Sequence, residues 1–297
     1  MTATVAQLQG APSAAGTPTL DGFFAKRDEV VGVLRGLGDV ASALGTKSLA
    51  ERVDRELVRK LSEDRFHLVV VGEFNHGKTT FVNALLGEAV LPVGVTPTTA
   101  AIHHIRWAER PEAFVVGVDG TRRAVPFEEA KRFAVGAGAP TADVDYLEIG
   151  YPAVLLKERI LLVDTPGVND LSLQRADITY SYIPRADAVL FLLDAGQLIK
   201  ESERVFLNDK LLKASRDKIV FVITKWDLLS AEEQREALAY AKVHLSTLVK
   251  EPVVFPISSE AAVAGDRAGS GLPELIAHLT ALLSEERGRI LLNNALG

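Results

Sequence analysis

The chain has 297 residues, with 33 Lys and Arg against 39 Asp and Glu for a formal net charge of −6, and no cysteine. It carries no long basic stripe, which leaves a nucleic-acid partner without an electrostatic footprint, and it can form neither disulfides nor thiolate metal sites, which fits a reducing compartment. At 47% hydrophobic residues it can bury a full core, while no segment approaches the roughly 18 apolar residues of a membrane span.

Residues 1–19 are small, polar and uncharged; they lack the basic region and apolar stretch of a signal peptide and read as a flexible leader. From Leu20 the pattern turns helical. Val30, Val33, Leu34, Leu37, Val40, Ala41 and Leu44 recur at three- and four-residue steps; after a break at Gly45-Thr46, Leu49, Val53, Leu57 and Leu61 recur every four. Each row would face one side of a helix, so residues 20–64 are expected to form two amphipathic helices, either a lid on the core or half of a helical bundle. From Phe66 the period changes. "FHLVVVG", "ILLVDTPG", "AVLFLLDA", "KIVFVITKWD" and "PVVFPISS" are short Val/Ile/Leu/Phe-rich runs of the kind buried on both faces of a parallel sheet. Helical stretches near 79–86, 200–214, 231–249 and 272–287 separate or follow them. The expected fold is α/β, a doubly wound, mostly parallel sheet over residues 65–271, flanked by amphipathic helices. "AIHHIRW", "AFVVGV" and "VDYLEIGYP", between the first two runs, alternate more and predict extra, partly antiparallel strands. Residues 272–297 are expected to be a helix that continued in a longer chain, with a natural end capped by Gly297 as the alternative.

Three motifs carry chemistry. Gly72-x4-Gly77-Lys78-Thr79 lies between a strand and a helix, which is the pattern of a phosphate-binding loop. Its glycines let backbone N–H groups turn inward, and the helix adds its positive end. Gly72, Glu73, Asn75, His76, Gly77, Lys78, Thr79 and Thr80 are the expected cradle, with the Lys78 charge on the phosphates and the Thr79 hydroxyl on Mg²⁺. Asp164-Thr165-Pro166-Gly167 ends the next core strand; Asp164 can hold Mg²⁺ through water and the Gly167 N–H can meet a γ-phosphate. Thr224-Lys225-Trp226-Asp227 ends another strand, and Thr224, Lys225 and Asp227 are expected nucleotide contacts. A carboxylate at Asp227 accepts two hydrogen bonds from guanine, which adenine does not offer, and the Lys225 stem can lie along the base. Ser258 and Ser259 either complete the base pocket or cap a helix. The segment "LPVGVTPTTAAIHHI" holds threonines at 96, 98 and 99, any of which could complete the Mg²⁺ shell and make this loop a switch. His103 and His104 are adjacent on a strand and face opposite sides, a poor metal pair.

With these residues in hand, the chain resembles the dynamin superfamily, especially bacterial dynamin-like GTPases and the related mitofusins. The likeness runs from about Phe66 to Ser259, on "GEFNHGKTTFVNALLG", "LPVGVTPTTA", the run from Tyr151 to Gly167, and "TKWD". It implies a GTPase domain on a helical neck, residues 20–64 being one neck segment and 272–297 the start of another. It also implies GTP and GDP as ligands with Mg²⁺ on Thr79, Thr99 and Asp164. Thr99 becomes the switch-one threonine, and Lys78, Thr99 and Asn75 the candidate catalytic groups. Where Ras-like GTPases keep a water-orienting glutamine, this chain has Val168, a lack that dynamins share. Dynamins use loop groups and a monovalent cation, organised when two GTPase domains pair. Here Phe74-Asn75 stands where eukaryotic dynamins place Gln-Ser; Asn75 offers a carbonyl oxygen, and Phe74 does not replace the glutamine. The resemblance therefore implies slow intrinsic hydrolysis until a partner, a second copy or a paralogue, organises the switches. It further implies a cytoplasmic protein, peripheral on the inner face of a membrane, reaching lipid through a stalk and tip outside this chain. A GTP-dependent scaffold with negligible hydrolysis and a ribosome-assembly-type GTPase are the competing readings.

Overall fold

The computed structural model describes residues 20–46, 53, 65–73, 75–93, 102–133, 144–166, 182–215 and 218–283. The leader, the second expected N-terminal helix apart from Val53, and the chain beyond 283 lie outside them. The chain divides into two compact units, Met1–Ser62 with Thr280–Gly297, and Glu63–Leu279.

In the larger unit the strands are β1 (Phe66–Gly72), β2 (Ile102–Trp107), β3 (Glu112–Gly117), β4 (Arg122–Val125), β5 (Val144–Tyr151), β6 (Ile160–Asp164), β7 (Ala188–Asp194), β8 (Ile219–Thr224) and β9 (Val253–Pro256). They form one nine-stranded sheet in the order β4-β3-β5-β2-β6-β1-β7-β8-β9. From β6 to β9 every neighbouring pair is parallel. These strands read as continuous apolar runs because both faces are covered: Val69, Val71, Phe191, Leu193, Phe221 and Ile223 belong to one buried cluster, and Leu68, Val70, Leu190, Leu192, Val220 and Val222, on the opposite face, are buried as well. The extra strands expected between the first two core runs are β2 to β5. β2 runs antiparallel to β6 but parallel to β5, and β3 is antiparallel to both β4 and β5. Arg106 pins this extension, donating to Glu148 at 2.5 Å and to Glu112 at 2.6 Å, while Arg122 lies 3.3 Å over the Phe114 ring.

Register sets the site. Val70 pairs with Asp164, Gly72 with Leu192, and Asp194 with Thr224, so the carboxyl ends of β1, β6, β7 and β8 meet along one edge. Helix α2 (Lys78–Leu86) starts at Gly77 in the left-handed region, φ 72°, and ends at Gly87, φ 85°. Asn83 on α2 is buried and fixes the chain that follows: its amide donates to the Leu91 carbonyl at 2.8 Å and its oxygen accepts from the N–H groups of Val90 and Leu91.

The remaining helices are α3 (Phe127–Phe133), α4 (Glu201–Phe206), α5 (Ala231–Ser246) and α6 (Ser259–Val263), with a last helix described over residues 272–283. α4 passes into a wider π turn, Leu207–Leu211, before one more α turn. That spacing keeps Phe206, Leu207, Leu211 and Leu212 all buried, where a plain α-helix would spread them around its surface. α5 begins with a reciprocal cap between Ser230 and Glu233.

The smaller unit contains α1 (Leu20–Ala43). The predicted apolar row is only partly its buried face: Val33, Leu37, Val40 and Leu44 are 69%, 49%, 56% and 75% exposed, while Ala41 of that row is buried, Leu34 half-buried, and Val31, outside the row, is buried with them. Val53 lies 3.7 Å from where a side chain at Gly38 would begin. Sequence spacing identified an apolar row but not which of its members would find a partner. Among the described residues no helix is long and apolar enough to cross a membrane.

Asn83→Ala removes the partners of three buried backbone groups and is expected to cost about 2–4 kcal/mol of folding stability, read from the urea midpoint. A change within about 0.5 kcal/mol would show that those groups find other partners.

Candidate nucleotide-binding site

The loop between β1 and α2 is shaped by two left-handed residues, Asn75 with φ 65° and Gly77 with φ 72°. Asparagine is among the few side chains that accept this conformation, so an exposed Asn75 fits the turn on backbone grounds alone. At its start Gly72 packs against β7: a Cβ there would lie 2.9 Å from the Leu192 carbonyl oxygen, so no larger residue fits unmoved. Lys78 is buried and folds back on the loop, donating to the Glu73 carbonyl at 2.6 Å. Thr79 is buried beside it, and Thr80 lines the cleft beyond.

Asp164 ends β6 with no exposed surface. Its Oδ2 is 3.3 Å from His103 Nδ1, and its Oδ1 has no hydrogen-bond partner. The next residue anchors the strand end to β1, Thr165 donating to the Val70 carbonyl at 2.7 Å. His104 faces the other side of the sheet, stacked on Tyr146 at 3.9 Å. The two histidines thus have separate environments, as strand alternation predicts. Phe74, Thr96, Thr98, Thr99, Gly167 and Val168 lie outside the described residues.

The base side is a cleft lined by Gly77, Thr80, Thr224, Lys225, Asp227, Leu228, Ser259 and Glu260. Lys225 takes a left-handed conformation, φ 57°, and its ammonium donates to Asp194 Oδ2 at 2.6 Å. Burial by itself would raise the Asp194 pKa; the bonds from Lys225 and the Gly196 N–H outweigh it and hold the carboxyl below its ordinary value. The Lys225 stem is thereby fixed across the cleft mouth, leaving the exposed Asp227 carboxylate free to accept from a base edge. Thr224, expected among the ligands, has its hydroxyl directed to the backbone oxygens of His76, 2.9 Å, and Leu193, 3.1 Å; it ties the phosphate side to the base side. Ser258 makes no side-chain cap bond to α6, and the buried Ser259 hydroxyl, without a partner, lines the cleft.

His76 also departs from expectation. Its side chain is 1% exposed and turned beneath the loop, so only its backbone faces the cradle. Nδ1 lies 3.2 Å from the Leu192 carbonyl and 3.4 Å from Glu203 Oε1; Nε2 lies 3.3 Å from Lys200 Nζ. Lys200 also reaches Glu73 Oε2 at 3.3 Å, and Ser202 donates to Glu73 Oε1. Burial pushes the imidazole down to about 4 and the Glu203 carboxyl up to about 7. Glu73, His76 and Glu203 are close enough to be considered as metal ligands. However, the two carboxylates approach opposite ring nitrogens, and the Lys200 ammonium already occupies the cationic position between Glu73 and the ring. Asp194, Lys200, Ser202 and Glu203 were missed in the sequence; the acidic start of a helix after "LLDAG" is the one local signal they leave.

The dynamin family model matches residues 68–226. The chain belongs to the dynamin family. It is similar to a bacterial dynamin-like protein of Nostoc punctiforme, 28% identical over 77% of this chain and 38% of that protein. It is also similar to a probable transmembrane GTPase of Arabidopsis thaliana, FZO-like and chloroplastic, 32% identical over 68% of this chain and 20% of that protein. The chain thus spans well under half the length of these relatives. Among solved structures, one member of an oligomerised bacterial dynamin pair, described as sensing and tethering membranes, shares the fold, with TM-score 0.67 and 22% identity over 92% of this chain and 44% of that one. A dynamin-family GTPase domain implies guanine-nucleotide binding in general.

Asp194→Ala frees the Lys225 stem and is expected to weaken GDP binding about tenfold, the loss of one charge-assisted hydrogen bond, measured by competition with a fluorescent guanine nucleotide. Unchanged affinity would mean that Lys225 needs no such anchor.

Proposed function

We propose that this chain binds GTP with Mg²⁺ and hydrolyses it to GDP and phosphate, that pairing of two GTPase domains promotes the reaction, and that the resulting switch movement passes to neck helices of a longer membrane-remodelling protein. The observation that carries the reading is the shared sheet edge: the loop at Gly72–Lys78, the end of β6 at Asp164, and the Lys225–Asp227 turn all open on it.

The residues present suit a divalent ion. Asp164 presents a buried oxygen without a partner, and Thr79 a hydroxyl at the head of α2. Those two would hold Mg²⁺, with Thr99 as the expected third group; bound there, Mg²⁺ supplies charge neutralisation for the β- and γ-phosphates. The chain's own groups do the rest. Loop N–H groups and the Lys78 ammonium bind the phosphates, Asp227 and Lys225 hold the base, and Asn75, exposed at the loop's crest, can offer its carbonyl oxygen to a monovalent cation or a water.

Pairing is carried over from the solved bacterial dynamin, whose oligomerised pair is described as tethering membranes. The exposed Val33–Leu37–Val40–Leu44 row on α1 supports a neck that packs on further helices in the whole protein. Lipid contact is assigned to parts beyond this chain, with the domain itself cytoplasmic and peripheral.

GTP turnover per molecule is expected to rise at least several-fold as protein concentration is raised from nanomolar to tens of micromolar with Mg²⁺. Turnover that stays flat across that range contradicts activation by pairing, and tight GTP binding with no turnover would replace the enzyme with a scaffold.

A further inference from the structure

The polar cluster under the phosphate loop is costly and is used by none of the steps above. Side chains three residues apart in the loop, Glu73 and His76, meet Lys200, Ser202 and Glu203 from the start of α4, and Glu203 and His76 are each 1% exposed.

Donor and acceptor counts fix how it is wired. An ammonium only donates, so His76 Nε2, at 3.3 Å from Lys200 Nζ, must accept. The ring proton then sits on Nδ1, where the Leu192 carbonyl and Glu203 Oε1 are the available acceptors. Glu203 Oε2 accepts the Lys200 N–H at 2.7 Å. Glu203 Oε1 lies 3.4 Å from the ring's Nδ1 without a hydrogen bond of its own, so the carboxyl holds the Lys200 N–H with one oxygen and turns the other toward the imidazole. On the loop side the same residues present their backbones to the site: the Glu73 carbonyl holds Lys78, and the His76 carbonyl holds Thr224.

We propose that Glu203 and Lys200 are positioning residues for nucleotide binding, acting through His76 and Glu73 to hold the phosphate loop in its anion-receiving shape and so linking the start of α4 to the β-phosphate. The proposal rests on the nucleotide-binding reading of this site. It explains why a loop whose underside could be filled by apolar side chains carries four ionisable ones instead: apolar filling would be more stable but would give α4 no directional hold on the loop. The π turn just beyond, Leu207–Leu211, is a feature that often accompanies functional positions in helices.

Glu203→Gln keeps size and shape. Whichever way its amide turns, an NH₂ faces either the Lys200 N–H or the His76 Nδ1–H, so the hold is lost. Lys200→Met removes the ammonium, and Lys200→Arg keeps a cationic donor. GDP dissociation is measured with a fluorescent analogue, GMP affinity by competition, and Tm at pH 5 and pH 8. Dissociation of GDP is expected to be about tenfold faster in E203Q and K200M and restored to within about threefold by K200R. GMP, which has no β-phosphate, is expected to bind all of them within about twofold of the unaltered protein.

The Tm values carry their own sign. Burial disfavours the ionised form of Glu203 and pushes its folded-state pKa from 4.5 to about 7, with Glu73 and Asp194 acting in the same direction and Lys200 against it; His76 lies 3.4 Å away. The unaltered protein therefore loses stability at this carboxyl as pH rises from 5 to 8, and E203Q gains on it over that window. GDP dissociation within twofold of the unaltered protein in both E203Q and K200M overturns the proposal, as does GMP affinity falling in step with GDP. If E203Q does not fold, K200M against K200R decides. An unaltered protein that binds no GDP would instead overturn the nucleotide-binding reading itself.

Discussion

The tight contact between Gly72 and the Leu192 carbonyl is the constraint on which the site depends. Only a residue without a side chain lets β1 turn into its loop against β7 at this distance. The same Leu192 carbonyl receives the His76 ring from the other end of the loop. Two residues later β7 ends in Asp194, which holds Lys225. One strand therefore indexes both halves of the cleft. Its position is in turn fixed by parallel pairing to β1 and β8 and by Phe191, buried between Phe206 and Phe221.

Much of this was legible in the sequence because the relevant signals are local. A buried parallel strand declares itself by an unbroken apolar run, and "GEFNHGKTT", "DTPG" and "TKWD" each encode a turn conformation together with the groups it presents. The doubly wound fold and the added strands were foreseen on those grounds. The antiparallel joint between β2 and β6 was not, since register between distant segments has no local signature; it brings His103 to Asp164. The Asp194–Lys225 and His76–Glu203 pairs escaped for the same reason, lying 31 and 127 positions apart in the numbering of their partners. His76 was read as part of the cradle because the motif specifies its backbone and is silent on where its side chain goes. α1 shows the converse limit: periodicity reveals an apolar row but not its partner.

The polar underside of the loop also illustrates a balance between stability and control. Each group there gives up water, and burial moves both Glu203 and His76 away from their ordinary titration ranges. An apolar layer would hold the loop by contact alone, tolerant of small shifts. Hydrogen bonds from a cation to an imidazole and from an imidazole to a carbonyl fix direction as well as distance, which suits a loop whose N–H groups must converge on an anion.

The central claim is that a guanine nucleotide occupies the edge where β1, β6, β7 and β8 end. Direct calorimetric titration of this chain with GDP, GTP and ATP in the presence of Mg²⁺ tests it. The account predicts saturable binding of GDP and GTP with ATP at least about tenfold weaker, the discrimination expected when a carboxylate loses the hydrogen bonds that guanine alone donates. Equal affinity for ATP and GTP, or no binding of either, would contradict it.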